Sequence, residues 1–298
     1  MDHPTIKRVQ KLIRSTGRNP QAAGDPGGRN MHLLEKRNAV VTGASGGLGA
    51  SIAAELAARG ANVALVARSP ERLEQVAASL ASSDVSVAVV TADLSDPDDL
   101  RNVVRRVCGE FGQIDLLVNN AGIADLSPFQ RQDPAIMRRV MEVNLLAPMM
   151  LVREVLPDML ERGRGHIVNI ASLAGLIGLP YEAVYSASKA GLIAWSSALR
   201  QELDGTGVGV SVVSPGFVGK AGMFARHYDK GPRYFGLCQP EDVAAAVTRV
   251  IRQNLPEVVV NPTPVRPLLA LKAVAPATAA RLFRWMGFER FMRRLAGN

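Results

Sequence analysis

From residue 38 onward, short runs of β-branched residues alternate with longer stretches of helical periodicity, and this alternation restricts the fold more than any other feature. Residues 38–42 (NAVVT), 62–67 (NVALVA), 85–91 (VSVAVVT), 114–118 (IDLLV), 166–170 (HIVNI), 208–213 and 258–260 read as strands. Between them, 50–59, 70–80, 97–111, 134–160 and 181–203 read as helices. Strands that are apolar on both faces need cover on both sides. The expected fold is therefore an α/β, doubly wound, Rossmann-type parallel sheet, in one domain.

Tails flank this core. Residues 1–35 read as a flexible, basic N-terminal segment, of which residues 1–30 end in the Gly/Pro/Asn-rich QAAGDPGGRN, with IKRVQKLIR before it suited to a short amphipathic helix. The domain is expected over 36–262, and 263–298 reads as a basic, amphipathic helical extension. The net charge of +8 is distributed unevenly: residues 1–37 carry +5 and 266–298 carry +6, which leaves the stretch between them at −3. The basic surplus thus belongs to the tails. No zinc finger, RNA-recognition signature or helix-turn-helix pattern accompanies it, so nucleic acid is not an expected partner. No apolar run approaches the roughly 18 to 20 residues of a membrane span, and the N-terminus lacks the apolar stretch of a secretory signal. Cys108 and Cys238 build neither a disulfide framework nor a metal site. A cytoplasmic protein is expected.

The first strand runs directly into Thr42-Gly43-Ala44-Ser45-Gly46-Gly47-Leu48-Gly49 and then into a helix. A helix N-terminus points free N–H groups outward, and residues without side-chain bulk let a pyrophosphate approach them. The strand before and the helix after support a dinucleotide site. An NAD site usually carries an acid about twenty residues beyond such glycines, to hold the ribose 2′-hydroxyl. Here the second strand ends in Ala67-Arg68-Ser69, with an arginine and no acid. A guanidinium pairs with a 2′-phosphate, so the expected cofactor is NADP(H).

Tyr185 and Lys189 in YSASK stand four residues apart, hence on one helical face. A nearby ammonium lowers a phenol's pKa and suits it to exchange a proton with a developing alkoxide. Ser172, 13 residues upstream, follows the strand HIVNI and can present its hydroxyl where open α/β sheets place their ligands.

With these residues in place, the sequence resembles the short-chain dehydrogenase/reductase family over roughly residues 36–262. The resemblance is carried by TGASGGLG at 42–49, Asp93-Leu94, Asn119-Asn120-Ala121-Gly122, Asn144 in EVNLL, Ser172 in NIAS, Tyr185 and Lys189 in YSASK, and Pro215-Gly216. It implies a seven-stranded sheet and a nicotinamide cofactor. Tyr185 would be the acid/base, Lys189 would lower its pKa and hold the nicotinamide ribose, and Ser172 would polarise the carbonyl. Asn144 would anchor a water that links Lys189 to solvent; taken alone, it also fits a helix-interior asparagine bonding a backbone carbonyl. Gly43, Ser45, Gly47, Leu48 and Gly49 would cradle the pyrophosphate. Asp93 and Leu94 would hold the adenine, Asn120, Ala121 and Gly122 the adenine-ribose side, and Pro215, Gly216 and Val218 the nicotinamide side. The family often has a threonine two residues after Val218, where this chain has Gly219-Lys220, so Val218 or Lys220 would grip the carboxamide instead.

Residues 219–239 fall where this family builds its substrate lid. Beyond them, Leu282, Trp285, Phe288, Met292 and Leu295 recur at helical spacing from 279 to 295, with Arg281, Arg284, Arg290, Arg293 and Arg294 around them. Such a helix can lie in a bilayer interface, or pack on its own domain or a sister subunit. The function implied is an NADP(H)-dependent oxidoreductase acting on a carbonyl or secondary alcohol, with a lipophilic substrate, as a homodimer or homotetramer. A cofactor-binding scaffold or redox sensor is the alternative, and retention of all four active-site residues favours the enzyme.

Overall fold

The computed structural model describes residues 34–80, 84–219 and 236–296. Seven strands form one parallel sheet: β1 (Asn38–Thr42), β2 (Asn62–Ala67), β3 (Val87–Thr91), β4 (Leu116–Asn119), β5 (Gly165–Ile170), β6 (Val208–Pro215) and β7 (Glu257–Val260), in the order β3-β2-β1-β4-β5-β6-β7. The helices are α1 (Gly47–Ala58), α2 (Pro70–Leu80), α3 (Pro97–Phe111), α4 (Pro134–Met141), α5 (Ala147–Glu161), α6 (Leu173–Ile177), α7 (Ala183–Glu202), α8 (Pro240–Gln253), α9 (Arg266–Val274), α10 (Pro276–Trp285) and α11 (Phe288–Leu295). The doubly wound expectation holds. The chain builds outward from β1 to β3, then returns to the other side of β1 and continues to β7. That reversal opens a crevice beyond the strand C-termini.

Successive strand side chains point to opposite faces, so two cores form. Ala39 and Val41 of β1 pack with Ile52 and Leu56 of α1, Leu73 of α2 and Val247 of α8. Val40 between them faces Val103 of α3, Leu151 of α5 and Leu199 of α7. Each large aliphatic side chain buried this way stabilises the fold by about 1.5–3 kcal/mol.

The reading from periodicity omitted α8, although its signals are present. Pro240 opens the helix, Gln239 and Asp242 form a reciprocal capping box, and Val243, Val247 and Val250 recur at helical spacing on the buried face. The long helix expected at 134–160 is two helices joined by a π-helical turn, Glu142–Leu146. Pro148 gives the physical reason: its ring would clash with the carbonyl four residues back, that of Asn144, in a regular helix. The Ala147 N–H instead reaches the Glu142 carbonyl, and Asn144 is left inside the turn, fully buried.

The helix expected from 279 to 295 is likewise broken. Gly287, at φ +73°, ends one helix and caps the next. The break divides the apolar stripe, with Phe288 and Met292 buried against Leu173, Tyr185 and Phe217 while Trp285 is 78% exposed. Packing on its own domain thus accounts for the inner part of the tail. Among the described residues, no helix is long and apolar enough to cross a membrane. The N-terminal helix expected within 6–14, and the lid residues 220–235 with Lys220, lie outside the described residues.

Candidate active site

A cleft of about 400 Å³ runs over the C-terminal ends of six strands, from Asp93 beyond β3 to Val218 beyond β6. At its centre the chain turns from β1 into α1. Glycine is required there at two positions. A Cβ on Gly43, which has φ +68°, would meet Ala121 Cα at 2.8 Å, and one on Gly49 would meet the Gly43 carbonyl oxygen at 2.2 Å. The start of α1 differs from those of α3 and α4. Asp96 and Asp133 cap α3 and α4 with their carboxylates, whereas Gly46 gives α1 no side-chain cap and no acid stands in its first turn. Its free N–H groups and positive dipole end therefore remain available to an anion. Gly43, Ser45, Leu48 and Gly49 border the cleft, while Gly47 does not.

The segment after β4 braces this turn. Thr42 Oγ1 accepts hydrogen bonds from the Asn120 and Ala121 N–H groups at 3.0 Å each, and Asn120 Nδ2 donates to the Thr42 carbonyl at 2.9 Å. Asn120, Ala121 and Gly122 line the cleft, but the Asn120 amide is engaged in holding β4 to β1. Arg68 also borders the cleft, and Arg72 from the first turn of α2 joins it. The nearest acid in sequence, Glu71, accepts from the Ser69 hydroxyl at 3.1 Å and is not part of the lining. Asp93 and Leu94 lie beside them. Burial opposes ionisation of Asp93, yet hydrogen bonds from the Ser95 hydroxyl and N–H, with the charges of Arg139 and Arg68, hold its carboxyl below the usual range. Arg139 Nη2 reaches it at 2.8 Å.

Ser172, Tyr185 and Lys189 meet on the same cleft, and Pro215, Gly216 and Val218 form its far wall. Ser172 has two tasks. Its Oγ accepts from the Ala174 N–H at 3.1 Å, which caps α6, and it shares a hydrogen bond with the Tyr185 phenol. Lys189 stands over the Tyr185 ring. Its Nζ lies 5.9 Å from the phenol ring centroid and donates to the Ile170 carbonyl at 2.8 Å. Burial pushes Lys189 down to about 8. Burial, and then the nearby Glu182 carboxyl, push Tyr185 above its ordinary value, against the Ser172 hydrogen bond. Tyr185 is thus a neutral phenol near pH 7, poised to donate a proton.

Asn144 stands behind the cleft wall rather than on it. Its Oδ1 accepts from the Ile123 N–H at 2.8 Å, and its Nδ2 donates to the Ile123 carbonyl at 2.9 Å and to Ser188 Oγ at 3.1 Å. Two of these three bonds go to the Ile123 backbone and the third to a side chain. A Cβ at Gly122 would nevertheless lie 3.3 Å from Asn144 Oδ1 and 3.5 Å from Lys189 Nζ, so the glycine keeps the line between those two side chains open. Three charged lining residues were not found from sequence: Arg72, Arg139 and Glu182. Arg72 had a signal, at i+4 from Arg68. Glu182 had one too, three residues before Tyr185, whereas Arg139 reaches the cleft only through tertiary folding.

Comparison with known proteins defines the class. The sequence profile of the short chain dehydrogenase family matches residues 37–230, and the protein belongs to that family. It is 40% identical over 273 residues to the ketoacyl reductase HetN of Nostoc sp., which covers 90% of this chain and 95% of that one. Among solved structures, a metagenomic short-chain oxidoreductase in complex with NADP is 35% identical with TM-score 0.66, covering 78% of this chain and all of its own. The alcohol dehydrogenase of Thermococcus sibiricus, complexed with 5-hydroxy-NADP, is 27% identical with TM-score 0.69, covering 76% and 97%.

Proposed function

We propose that this chain is an NADP(H)-dependent carbonyl reductase or alcohol dehydrogenase. One observation carries the reading: Ser172, Tyr185 and Lys189 border the same cleft as the uncapped N-terminus of α1. Gly43, Ser45, Leu48 and Gly49 would hold the pyrophosphate, Arg68 and Arg72 a 2′-phosphate, and Asp93 and Leu94 the adenine. The two NADP-bound relatives support this choice. When bound, the cofactor supplies or accepts the hydride.

The protein's own residues manage the oxygen and the proton. Ser172 and Tyr185 hydrogen-bond the substrate carbonyl and polarise it, and Tyr185 delivers its proton as negative charge develops there. Lys189, fixed to Ile170, holds the cofactor ribose and takes part in replacing that proton. Asn144 sits across Gly122 from the ammonium and serves the same return path. The turnover contribution of such general acid help is about 100-fold or more.

The substrate is proposed to be lipophilic. Ile123, Val143, Leu173, Ile177, Leu179 and Phe217 line the cleft around Tyr185. Peripheral membrane contact is proposed for the outer side of the tail, where Trp285 and Val274 are exposed beside Arg281 and Arg284. A homodimer or homotetramer, in the cytoplasm, is proposed on the exposed apolar side chains Ile136, Leu146 and Leu160 of the α4–α5 surface.

The test is a titration of NADPH and NADH into the purified protein, followed by turnover of a ketone series with the preferred cofactor. Tighter NADPH binding and rising efficiency with chain length support the reading. Cofactor binding without turnover of any carbonyl or alcohol would turn it toward a scaffold or sensor. Co-sedimentation with anionic vesicles, lost in Trp285→Ser, tests the tail contact.

A further inference from the structure

Beside the catalytic cleft lies an open groove of about 840 Å³, within the size range of small-molecule sites, about 300–1,000 Å³. Three segments line it: the turn at Phe129 and Arg131, the loop from Ile177 to Tyr181, and the side of α10 and α11 that carries Phe283, Arg284 and Arg293. Ile177 also lines the cleft and is the shared wall of the two hollows. Tyr181 has φ +66°, a backbone state that costs an aromatic residue energy. It lines the groove, while the next residue, Glu182, lines the cleft.

The lining combines two chemistries. Apolar surface comes from Phe129, Ile177, Phe283 and Phe288, with two prolines. Phe129 is 61% exposed, so water wets a ring that a hydrocarbon chain in the groove would cover. Charge comes from Arg131, Arg284 and Arg293 against Glu289, three guanidinium groups to one carboxylate among the described lining residues. Glu289 pairs with Arg293 one helical turn away, and Arg293 Nε donates to the Tyr181 hydroxyl at 3.1 Å, tying α11 to the loop. Arg131 and Arg284, both exposed, leave the groove positive.

We infer that this groove is a second ligand site, distinct from the catalytic cleft, for a dissolved amphiphile with one hydrocarbon chain and an anionic head. Guanidinium groups hold phosphate or carboxylate through paired, charge-assisted hydrogen bonds, and the aromatic and aliphatic lining takes the chain. The free amphiphile is favoured over a lipid in a bilayer because three segments enclose the groove, whereas a bilayer interface receives the exposed face of a helix. Trp285 and Val274, proposed above to touch a membrane, are not part of the lining. The two readings are therefore independent.

The experiment is calorimetric titration of decyl phosphate, below its micellar concentration, into the full chain with excess NADPH. One equivalent binds, about tenfold or more tighter than uncharged decanol. It binds about a hundredfold tighter than inorganic phosphate, which lacks the chain. Arg131→Gln combined with Arg284→Gln, both at exposed positions, weakens decyl phosphate by about tenfold and leaves NADPH affinity unchanged. Phe129→Ser weakens it by roughly threefold or more, and Trp285→Ser leaves it unchanged. No binding, affinity equal to that of decanol or inorganic phosphate, or binding unchanged in the double arginine variant overturns the inference and leaves the reductase reading standing. Vesicle co-sedimentation without decyl phosphate binding overturns it and leaves the membrane contact standing.

Discussion

Phe217, on the wall of the cleft, packs its ring 6.2 Å from that of Phe288, the first residue of α11. Phe291 joins edge-on, 5.8 Å from Phe217. The C-terminal extension is therefore part of the cleft's supporting structure. Truncating Phe288, which is 4% exposed, removes a ring from this cluster. Phe288→Ala should lower unfolding stability by about 3 kcal/mol. It should also raise KM for long-chain ketones by loosening Phe217. Urea unfolding and steady-state kinetics check the two parts, and unchanged values in both would separate the tail from the cleft.

Charge at the far end of the cleft predicts cofactor choice. Arg68 and Arg72 border the site with no acid among the residues that end β2. In Arg68→Asp a carboxylate repels a 2′-phosphate and can accept from a 2′-hydroxyl. NADPH affinity should fall by about tenfold or more while NADH binding improves relative to it. Fluorescence titration of both cofactors measures this. Equal affinities in the wild type would remove its basis.

The buried acid at the catalytic end makes stability depend on pH in a stated direction. Burial raises Glu182 from 4.5 to about 8. Between these values the folded state keeps the proton and the unfolded state releases it, so stability falls as pH rises. The contribution is fully present below about 4.5 and lost as pH climbs through about 8. His166 and Lys189, lowered by burial to about 4 and about 8, act in the opposite direction but are shared with a Glu182→Gln variant and cancel. The variant should gain on wild type between pH 5 and pH 8, by on the order of 3 kcal/mol at the upper end. Chemical denaturation at the two pH values checks it, and a constant difference would contradict it.

The framework and most of the cleft were legible because they are local. Strands 38–42 and 62–67 and the helices at 70–80 and 97–111 have the predicted bounds, since each is a short apolar run or an amphipathic stretch closed by Pro, Asp or Gly. The site motifs follow strand ends, where the fold gathers them without long-range information. What was missed depended on geometry between segments. The π-helical turn at Asn144 follows from Pro148, but periodicity averages over such a local widening. The bonding of Lys189 to the Ile170 carbonyl depends on how β5 lies under α7. Arg139 meets Asp93 only because the fold brings α4 beside the turn that follows β3. A glycine at 287 weakens a helix by about 1 kcal/mol, yet the break there, and the turning of Phe288 toward Phe217, are decided by packing.

The central claim is that Tyr185 is the proton donor in a cleft that binds NADP(H). Its most direct test is Tyr185→Phe, which removes one hydroxyl and leaves the ring in place. The account predicts that NADPH affinity changes little while kcat for ketone reduction falls by about 100-fold or more. A Tyr185→Phe protein that retained most of its turnover with unchanged NADPH binding would contradict it.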